Sequence, residues 1–280
     1  MDNKQTDINK RYLDFEGTTN FRDLGGYVGH NSKTVKWGQI FRADALNKLT
    51  DKDIALLEAM KLKTIVDFRS PKEIVDNEDK AIKDTVYFNL NPKAEVAQLA
   101  SASPANDKQK IDKLLSIANS DQGESYFLVH SDDMAKQMRK LVSDPVAISQ
   151  YQKLMELLLA DDGAPLVYHC RGGKDRTGVA TMFILLALGV SKDQIYSDYI
   201  LTNTYKEVRN EMRMDEYRNL TDNQNILDYL RNLLLAKEEY LDAAFDEMIK
   251  VSGSSDNYLR QVLMIDDDKL TILRNRYLEG

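Results

Sequence analysis

The chain has 280 residues, a hydrophobic fraction of 42% and a formal net charge of −7 at pH 7. A chain of this length forms one large domain or two smaller ones and buries most of its unfolded surface. The acidic balance argues against a general nucleic-acid binder, which normally carries an excess of positive charge. The single cysteine excludes an intramolecular disulfide and any zinc site made of several cysteines.

The N-terminal residues 1–10 are polar and contain no apolar stretch of the kind that marks a secretory signal peptide. The most apolar run, residues 179–190, is shorter than the roughly 20 residues that a membrane span needs, so we expect no integral membrane segment. A lone cysteine is typical of a reduced compartment, which favours the cytoplasm. A secreted protein whose leader is missing from this sequence is the alternative.

The first part of the chain alternates between strand and helix signals. Thr50 is predicted to cap a helix that runs to Met60, and Ser70-Pro71-Lys72-Glu73 combines an N-cap, a helix-starting proline and a capping-box glutamate. This alternation predicts an α/β fold whose central, mostly parallel sheet is flanked by helices. Short strands are predicted at residues 12–15, 39–42, 64–69 and 86–90.

Residues 91–123 differ in composition from the segments around them. Alanine, serine, aspartate and lysine dominate and the helical period is weak, so we predict a helical insertion on the surface. A clearly amphipathic helix is predicted at 145–160, and beyond residue 190 the chain contains helix signals only. We expect a single domain over residues 1–280, with 205–280 as an all-helical C-terminal extension.

One stretch, residues 165–178, carries the strongest functional signal. Its sequence PLVYHCRGGKDRTG indicates a short apolar strand, a glycine-containing cationic loop and the start of an apolar helix. The N–H groups of such a loop and the N-terminus of the following helix converge on one point, which is how proteins hold a phosphate dianion. Cys170 lies at that point, beside cations and a helix N-terminus that favour the nucleophilic thiolate.

The residue types in this loop predict a division of roles. Cys170 is the candidate nucleophile, and Arg176 can contact two phosphate oxygens and stabilise the charge that develops on them. Thr177 can donate a hydrogen bond to the sulfur as it leaves, and His169 can orient the loop. Further phosphate contacts are expected from the remaining loop residues, Arg171, Gly172, Gly173 and Lys174.

The leaving group also needs a proton, and two carboxylates can supply it. Asp175 lies inside the loop beside Arg176 and is the first candidate general acid. Asp67 is the second, because it ends a predicted strand, and ligands of parallel sheets bind at the carboxyl ends of the strands. Asp67 can equally well cap a helix or pair with Arg69.

The spacing His169-Cys170-x5-Arg176-Thr177 is the signature of cysteine-dependent protein tyrosine phosphatases. The longer stretch 169–178 resembles the bacterial branch of atypical tyrosine and dual-specificity phosphatases that also act on phosphoinositides. Four further blocks are similar to blocks of that family and occur in the same order, at residues 20–26, 41–50, 65–73 and 198–203.

The resemblance implies a cysteine-phosphatase-like fold, no cofactor, and a phosphotyrosine protein or a phosphoinositide as the substrate. It also implies that Lys174 helps to read additional phosphates on an inositol ring and that Asp175 works in acid catalysis. The Trp-Pro-Asp acid loop of the eukaryotic enzymes is missing, because the single tryptophan, Trp37, is followed by Gly38. Members of the family can cover the site with a helical lid, for which the polar segment 206–222 is the candidate.

Other charged residues carry weaker signals. Arg22 and Asp23 precede the glycine pair Gly25-Gly26 and are explained at least as well by a supporting role as by a catalytic one. His30 and His130 are not paired with carboxylates at metal-ligand spacing, so we expect no metal site.

Two other functions compete with phosphate-ester hydrolysis. A phospho-binding module that has lost catalysis is disfavoured because Cys170, Asp175 and Arg176 are all intact. Sulfur transfer on a rhodanese-like loop is disfavoured because such loops are shorter. We therefore predict a monomeric phosphatase for phosphotyrosine, with phosphoserine, phosphothreonine and phosphoinositides as further substrates.

Overall fold

The computed structural model describes residues 10–94, 96, 107–121 and 123–280 and contains a five-stranded central sheet. The strands are β1 (Arg22–Asp23), β2 (Thr34–Val35), β3 (Ile40–Ala43), β4 (Thr64–Asp67), β5 (Val86–Asn89), β6 (Leu166–His169) and β7 (Leu278–Glu279). The central sheet has the order β1-β3-β6-β4-β5, and its last four strands are parallel, whereas β1 is antiparallel to β3. The predicted α/β fold with a mostly parallel sheet is confirmed. β2 and β7 form a separate antiparallel pair.

The helices of the described ranges follow the predicted alternation. Those of six or more residues are α1 (Asp51–Ala59), α2 (Pro71–Asp76), α3 (Asp107–Ala118), α4 (Gly123–Val129), α5 (Asp133–Ser143), α6 (Pro145–Leu159), α7 (Asp175–Ala187), α8 (Lys192–Tyr205), α9 (Glu207–Arg218), α10 (Gln224–Leu234), α11 (Glu238–Ser252) and α12 (Asp267–Tyr277). Both predicted N-caps are confirmed. Thr50 with Asp53, and Ser70 with Glu73, form complete capping boxes.

Two predicted segments differ from the structure. Residues 12–15 are not a strand, because only Tyr12 forms an isolated bridge, to Arg22, and Phe15 instead packs against Phe21 in an irregular segment. Within the expected surface insertion, residues 95, 97–106 and 122 lie outside the described residues. Helix α3 nevertheless buries Ile111 and Leu114 in the main core, so this part of the insertion contributes to packing.

Helix α7 lies at the centre of the molecule. Every residue of it except Leu186 is buried, as expected for a helix that is apolar on all sides. The main hydrophobic core extends from Leu24 to Leu278 and includes residues from each of the helices α8 to α12. The C-terminal helices therefore share one core with the sheet. None of the helices in the described ranges is both long and apolar enough to span a bilayer.

The sheet aligns three strand ends around one position. His169, the last residue of β6, is in register with Ala43 at the end of β3 and with Asp67 at the end of β4. The carboxyl ends of parallel strands are where open α/β sheets bind their ligands. Cys170 follows His169 directly, so the predicted functional loop begins at this edge.

Candidate active site

The loop between β6 and α7 consists of residues 170–174, and its carbonyl groups are held from outside. Asn20 Nδ2 donates to the carbonyl oxygens of Gly172 and Gly173 at 3.3 and 3.0 Å, and Arg42 Nη2 donates to that of Gly173 at 2.7 Å. Because the N–H and C=O of a trans peptide point in opposite directions, the N–H groups of these peptides face away from Asn20 and Arg42. The arrangement is that of an anion-binding nest.

Gly173 cannot be replaced without distorting the loop. Its φ is +63°, in the region that favours glycine, and a Cβ there would lie only 2.6 Å from the carbonyl oxygen of Ala43. The loop is thus packed directly against the end of β3.

Arg176 is fixed by Glu73, the capping-box residue of α2. Its Nη1 lies 2.8 Å from Oε2 and its Nη2 lies 2.9 Å from Oε1, and Nη1 also donates to the carbonyl oxygen of Phe68 at 3.1 Å. Burial lowers the pKa of Arg176, but the charges of Cys170 and Glu73 outweigh it, so the net pKa shift is upward and the guanidinium stays charged.

Several buried polar atoms make no hydrogen bond among the described residues, and two of them, Nε of Arg176 and Oγ1 of Thr177, lie in the first turn of α7. Buried polar groups are normally paired, and an unpaired one requires an explanation such as a ligand. Both atoms belong to residues predicted to contact the substrate phosphate or the cysteine sulfur.

Asp175 is the first residue of α7, lines the cleft and is 5% exposed. Its Oδ1 lies 3.4 Å from Nζ of Lys174 and 3.5 Å from the hydroxyl of Tyr199. Lys174 itself turns away from the loop centre, because Nζ donates to the carbonyl oxygens of Leu233 and Leu235 at 2.7 and 2.9 Å. These bonds attach the loop to the end of α10.

Asp67 is committed to partners behind the loop. Its carboxylate accepts hydrogen bonds from Nε and Nη2 of Arg69, at 3.0 and 2.7 Å, and from the hydroxyl of Tyr87 at 2.6 Å. Burial raises the pKa of this carboxyl, but His169, Arg69 and Tyr87 outweigh it and lower the pKa to about 2. Asp67 is completely buried, so it is bound within this network and does not line the cleft.

His169 belongs to the same network. Its Nε2 lies 3.2 Å from Oδ2 of Asp79, and its Nδ1 lies 3.9 Å from Oδ1 of Asp67. Burial lowers the pKa of His169, and the two carboxylates raise it, with a net upward shift. The ligand atoms of these three residues lie close enough together to hold a cation. Arg69 already places its guanidinium against the carboxylates of Asp67 and Asp79 and balances their charge. We therefore interpret these residues as a support for the loop.

A second buried network supports the opposite side of the loop. Asp198 pairs with Arg22, at 3.0 Å between Oδ1 and Nε, and also with Arg42, which in turn holds Gly173. Burial raises the pKa of Asp198, but the two guanidinium groups outweigh it and hold the pKa well below its usual range. Arg22 therefore acts on the loop only through Asp198 and Asn20. Asp23 lies further away, where it accepts from the N–H groups of Gly25 and Gly38 and closes a turn.

A profile of the tyrosine phosphatase family matches residues 13–279. The chain belongs to this family. It is 29% identical over 276 residues to a Cupriavidus necator protein provisionally named a tyrosine-protein phosphatase, covering 96% of this chain and 89% of that one. It is 26% identical over 257 residues, 87% and 91% of the two chains, to the triple specificity protein phosphatase PtpB of Mycobacterium tuberculosis. A tyrosine-protein phosphatase of Nostoc commune matches over 168 residues, 59% and 49% of the chains, with 24% identity. The predicted protein-tyrosine phosphatase is confirmed.

The candidate active-site cleft of this tyrosine phosphatase has a volume of about 760 Å³. Its floor contains Cys170, Asp175 and Arg176, and one wall is the helix α9, within the predicted lid segment 206–222. Val208 and Met212 of α9 line the cleft and remain largely exposed, beside charged residues of the same helix such as Arg209 and Arg213.

Several residues that contact or support the loop were not among the site residues predicted from the sequence. Asn20, Arg42, Glu73, Asp198 and Lys206 all contact the loop or its supports. A weak signal existed for two of them, because Arg42 interrupts the apolar strand 40–43 and Glu73 is the only acidic residue in the first turn of α2. Their partners lie far away in the chain, so the sequence pattern alone could not connect them.

Proposed function

We propose that the protein hydrolyses phosphotyrosine through a cysteinyl-phosphate intermediate, with Cys170 as nucleophile and Arg176 as phosphate clamp. The observation that carries this proposal is the Arg176 guanidinium, locked by Glu73 while its Nε remains unpaired beside Cys170. A guanidinium fixed before the substrate arrives needs little reorganisation as charge develops on the phosphate oxygens.

In the first step, Sγ of Cys170 attacks phosphorus and the bond between phosphorus and the tyrosine oxygen breaks. The N–H groups of residues 171–176 and the side chain of Arg176 stabilise the phosphoryl oxygens during the transfer. Asp175 donates its proton to the departing oxygen, so the product leaves as a neutral phenol.

In the second step, a water molecule attacks the phosphorus of the cysteinyl phosphate and the phosphorus–sulfur bond breaks. The Asp175 carboxylate accepts a proton from this water, which restores the acid for the next cycle. Thr177 donates a hydrogen bond from its hydroxyl to the sulfur as the thiolate forms, which accounts for the unpaired Oγ1. Inorganic phosphate then leaves the loop.

Asp175 is preferred over Asp67 as the general acid. Asp175 lines the cleft beside Arg176, whereas the Asp67 carboxylate accepts hydrogen bonds from Arg69 and Tyr87 and has a pKa of about 2. At any pH, a carboxyl with such a pKa is protonated less often than an ordinary aspartate. Asp67, His169, Arg22 and Asp23 are proposed to support the loop or its surroundings.

Phosphoserine, phosphothreonine and phosphoinositides are proposed as further substrates. The name of the mycobacterial relative, a triple specificity phosphatase, supports this wider range. The cleft is also open and wide, and its volume exceeds what a single aromatic ring fills. We further propose that the chain forms one catalytic domain, since the sheet and the C-terminal helices share one core, and that it acts as a monomer.

The deciding experiment measures phosphate release from a phosphotyrosine peptide by the wild type and by Cys170→Ser. We expect multiple turnovers by the wild type and none by the variant, with the variant still binding the peptide. Binding without turnover by the wild type would instead support the phospho-binding module. A panel with phosphoserine peptides and soluble inositol phosphates, run beside the same variant, defines the substrate range.

A further inference from the structure

Three cations converge on the outer side of the catalytic loop. Lys206 lies between α8 and α9, and its Nζ donates to the carbonyl oxygen of Gly172 at 2.8 Å. Arg171 is part of the loop and Arg209 belongs to the first turn of α9, and all three side chains line the cleft. The Lys206 ammonium is thus next to the backbone that cradles the scissile phosphate.

The hydrogen-bonding capacity of these cations is largely unused. Lys206 is only 7% exposed, yet Gly172 is the one acceptor that its three N–H donors meet among the described residues. Arg171 has no hydrogen-bonding or ion-pair partner for its side chain in that part of the chain, and Arg209 faces a single carboxylate, Asp44, at 3.6 Å. Asp44 is already occupied by the hydroxyl groups of Thr18 and Thr19.

Like charges gathered in this way repel one another. Burial, followed by the positive charge of Arg209, lowers the pKa of Lys206 to about 7, although Asp44 and Cys170 oppose the shift. The side chain of Arg171 is likewise affected by burial and by Arg209, which lower its pKa. A bound anion removes this repulsion and accepts the unused donors.

Lys174 does not compete for this role in the observed arrangement. Its Nζ is surrounded by the carbonyl oxygens of Leu233 and Leu235 and by Asp175. An ammonium group has three N–H donors, so these acceptors use its capacity.

We propose that Lys206, Arg209 and Arg171 form a second anion-binding subsite that holds another phosphate on the same polyol ring as the scissile one. The inference rests on the proposed hydrolysis at Cys170 and names the substrate feature that this site selects. Because Lys206 bonds to the loop backbone and all three cations line the same cleft as Cys170, we place the second anion in that cleft next to the first. Phosphates on adjacent ring carbons satisfy this, whereas in a phosphopeptide the next charged group lies beyond the tyrosine ring.

The test measures binding calorimetrically in the Cys170→Ser background, which prevents turnover. The probes are myo-inositol 4,5-bisphosphate and myo-inositol 4-monophosphate. We expect the bisphosphate to bind about 10- to 100-fold more tightly, and Lys206→Met and Arg209→Gln to reduce this ratio to about 3-fold or less. Arg218→Gln, which removes an exposed charge from the same helix outside the cleft, is the matched control and should keep the ratio.

Three results would overturn the subsite: equal binding of the two probes, an unchanged ratio in both variants, or a larger effect of the variants on a doubly phosphorylated peptide. If Lys206→Met does not fold, the test rests on Arg209→Gln, because the Arg209 side chain is half-exposed and its replacement should not disturb folding. A further measurement with phosphatidylinositol 4,5-bisphosphate in phosphatidylcholine vesicles identifies the source of the ligand. Tighter binding to the vesicles than to the soluble bisphosphate indicates a lipid headgroup, and equal binding indicates a free polyol phosphate. Both of these outcomes support the subsite. Failure of the wild type to hydrolyse p-nitrophenyl phosphate would refute hydrolysis at Cys170 independently of these ratios.

Discussion

Glu73 and Arg176 face each other across 103 residues of chain and are joined by two hydrogen bonds of 2.8 and 2.9 Å. The pair fixes the orientation of the guanidinium plane beside Cys170, and Glu73 is itself fixed by the capping box of α2. Burial raises the pKa of Glu73, but Arg176 outweighs it and the net shift is downward, so the carboxylate stays charged.

We expect Glu73→Gln to lower kcat for p-nitrophenyl phosphate by about 10- to 100-fold, because a misplaced clamp stabilises the transition state poorly. Steady-state kinetics measure the effect. Asp76→Asn, on the exposed side of the same short helix, is the control and should retain the wild-type rate. A Glu73→Gln enzyme of normal kcat would show that Arg176 orients itself without this pair.

Asp175→Asn should change the dependence of the rate on the leaving group. The proton from Asp175 matters most when the leaving oxygen is a strong base, so we expect a loss of about 100-fold on phenyl phosphate and a much smaller one on p-nitrophenyl phosphate. The measurement is kcat/KM over a series of substituted phenyl phosphates. Equal losses along the series would remove Asp175 from the role of general acid, and the same pattern in Asp67→Asn would transfer the role to Asp67.

Asp67→Asn should act on stability in a pH-dependent way. The folded state lowers the pKa of Asp67 from 3.8 to about 2. The resulting stabilisation is therefore complete above the unfolded value and disappears as the pH falls from about 4 towards 2. We expect the substitution to reduce the free energy of unfolding by about 2 kcal/mol at pH 7.

Urea unfolding of wild type and Asp67→Asn at pH 7, 5, 3.5 and 2.5 measures this difference. Asp162→Asn changes an exposed carboxylate in a turn and serves as the control. A stability difference that stays constant down to pH 2.5 would mean that the charge of Asp67 is not what stabilises the fold.

Lys174→Ala should loosen the loop rather than alter substrate preference. Its Nζ connects the loop to the carbonyl oxygens at the end of α10, so we expect a loss of about 2 kcal/mol in stability and similar losses of kcat/KM on phosphotyrosine and inositol bisphosphate. Lys250→Ala, at a highly exposed position of α11, is the control. A selective loss on the bisphosphate would give Lys174 the phosphate-reading role that its family resemblance implies.

The features that the sequence predicts well are those whose partners are close in the chain. The strand, loop and helix around Cys170 are contiguous, and the capping boxes at Thr50 and Ser70 span three residues each. Local chemistry is sufficient to specify such elements.

The supports of the loop could not be read in the same way. Asn20, Arg42 and Lys206 reach Gly172 or Gly173 from 34 to 153 residues away, and nothing in a single sequence connects these positions. The sequence could not predict the orientation of the Lys174 side chain either, because its Nζ bonds to carbonyl oxygens at the end of α10, far along the chain. The strand predicted at residues 12–15 was wrong for a related reason. The apolar residues there indicated a strand, but Phe15 is buried because it packs on Phe21.

The bracing of the loop also has a consequence for synthesis of the protein. Asn20 and Arg42 leave the ribosome long before the loop does, whereas Lys206, Leu233 and Leu235 follow it by 34, 59 and 61 residues. A growing chain already contains Cys170 and Arg176 while the partners of Gly172 and Lys174 are still unmade. Phosphatase activity is therefore expected only after residue 235 has emerged and docked.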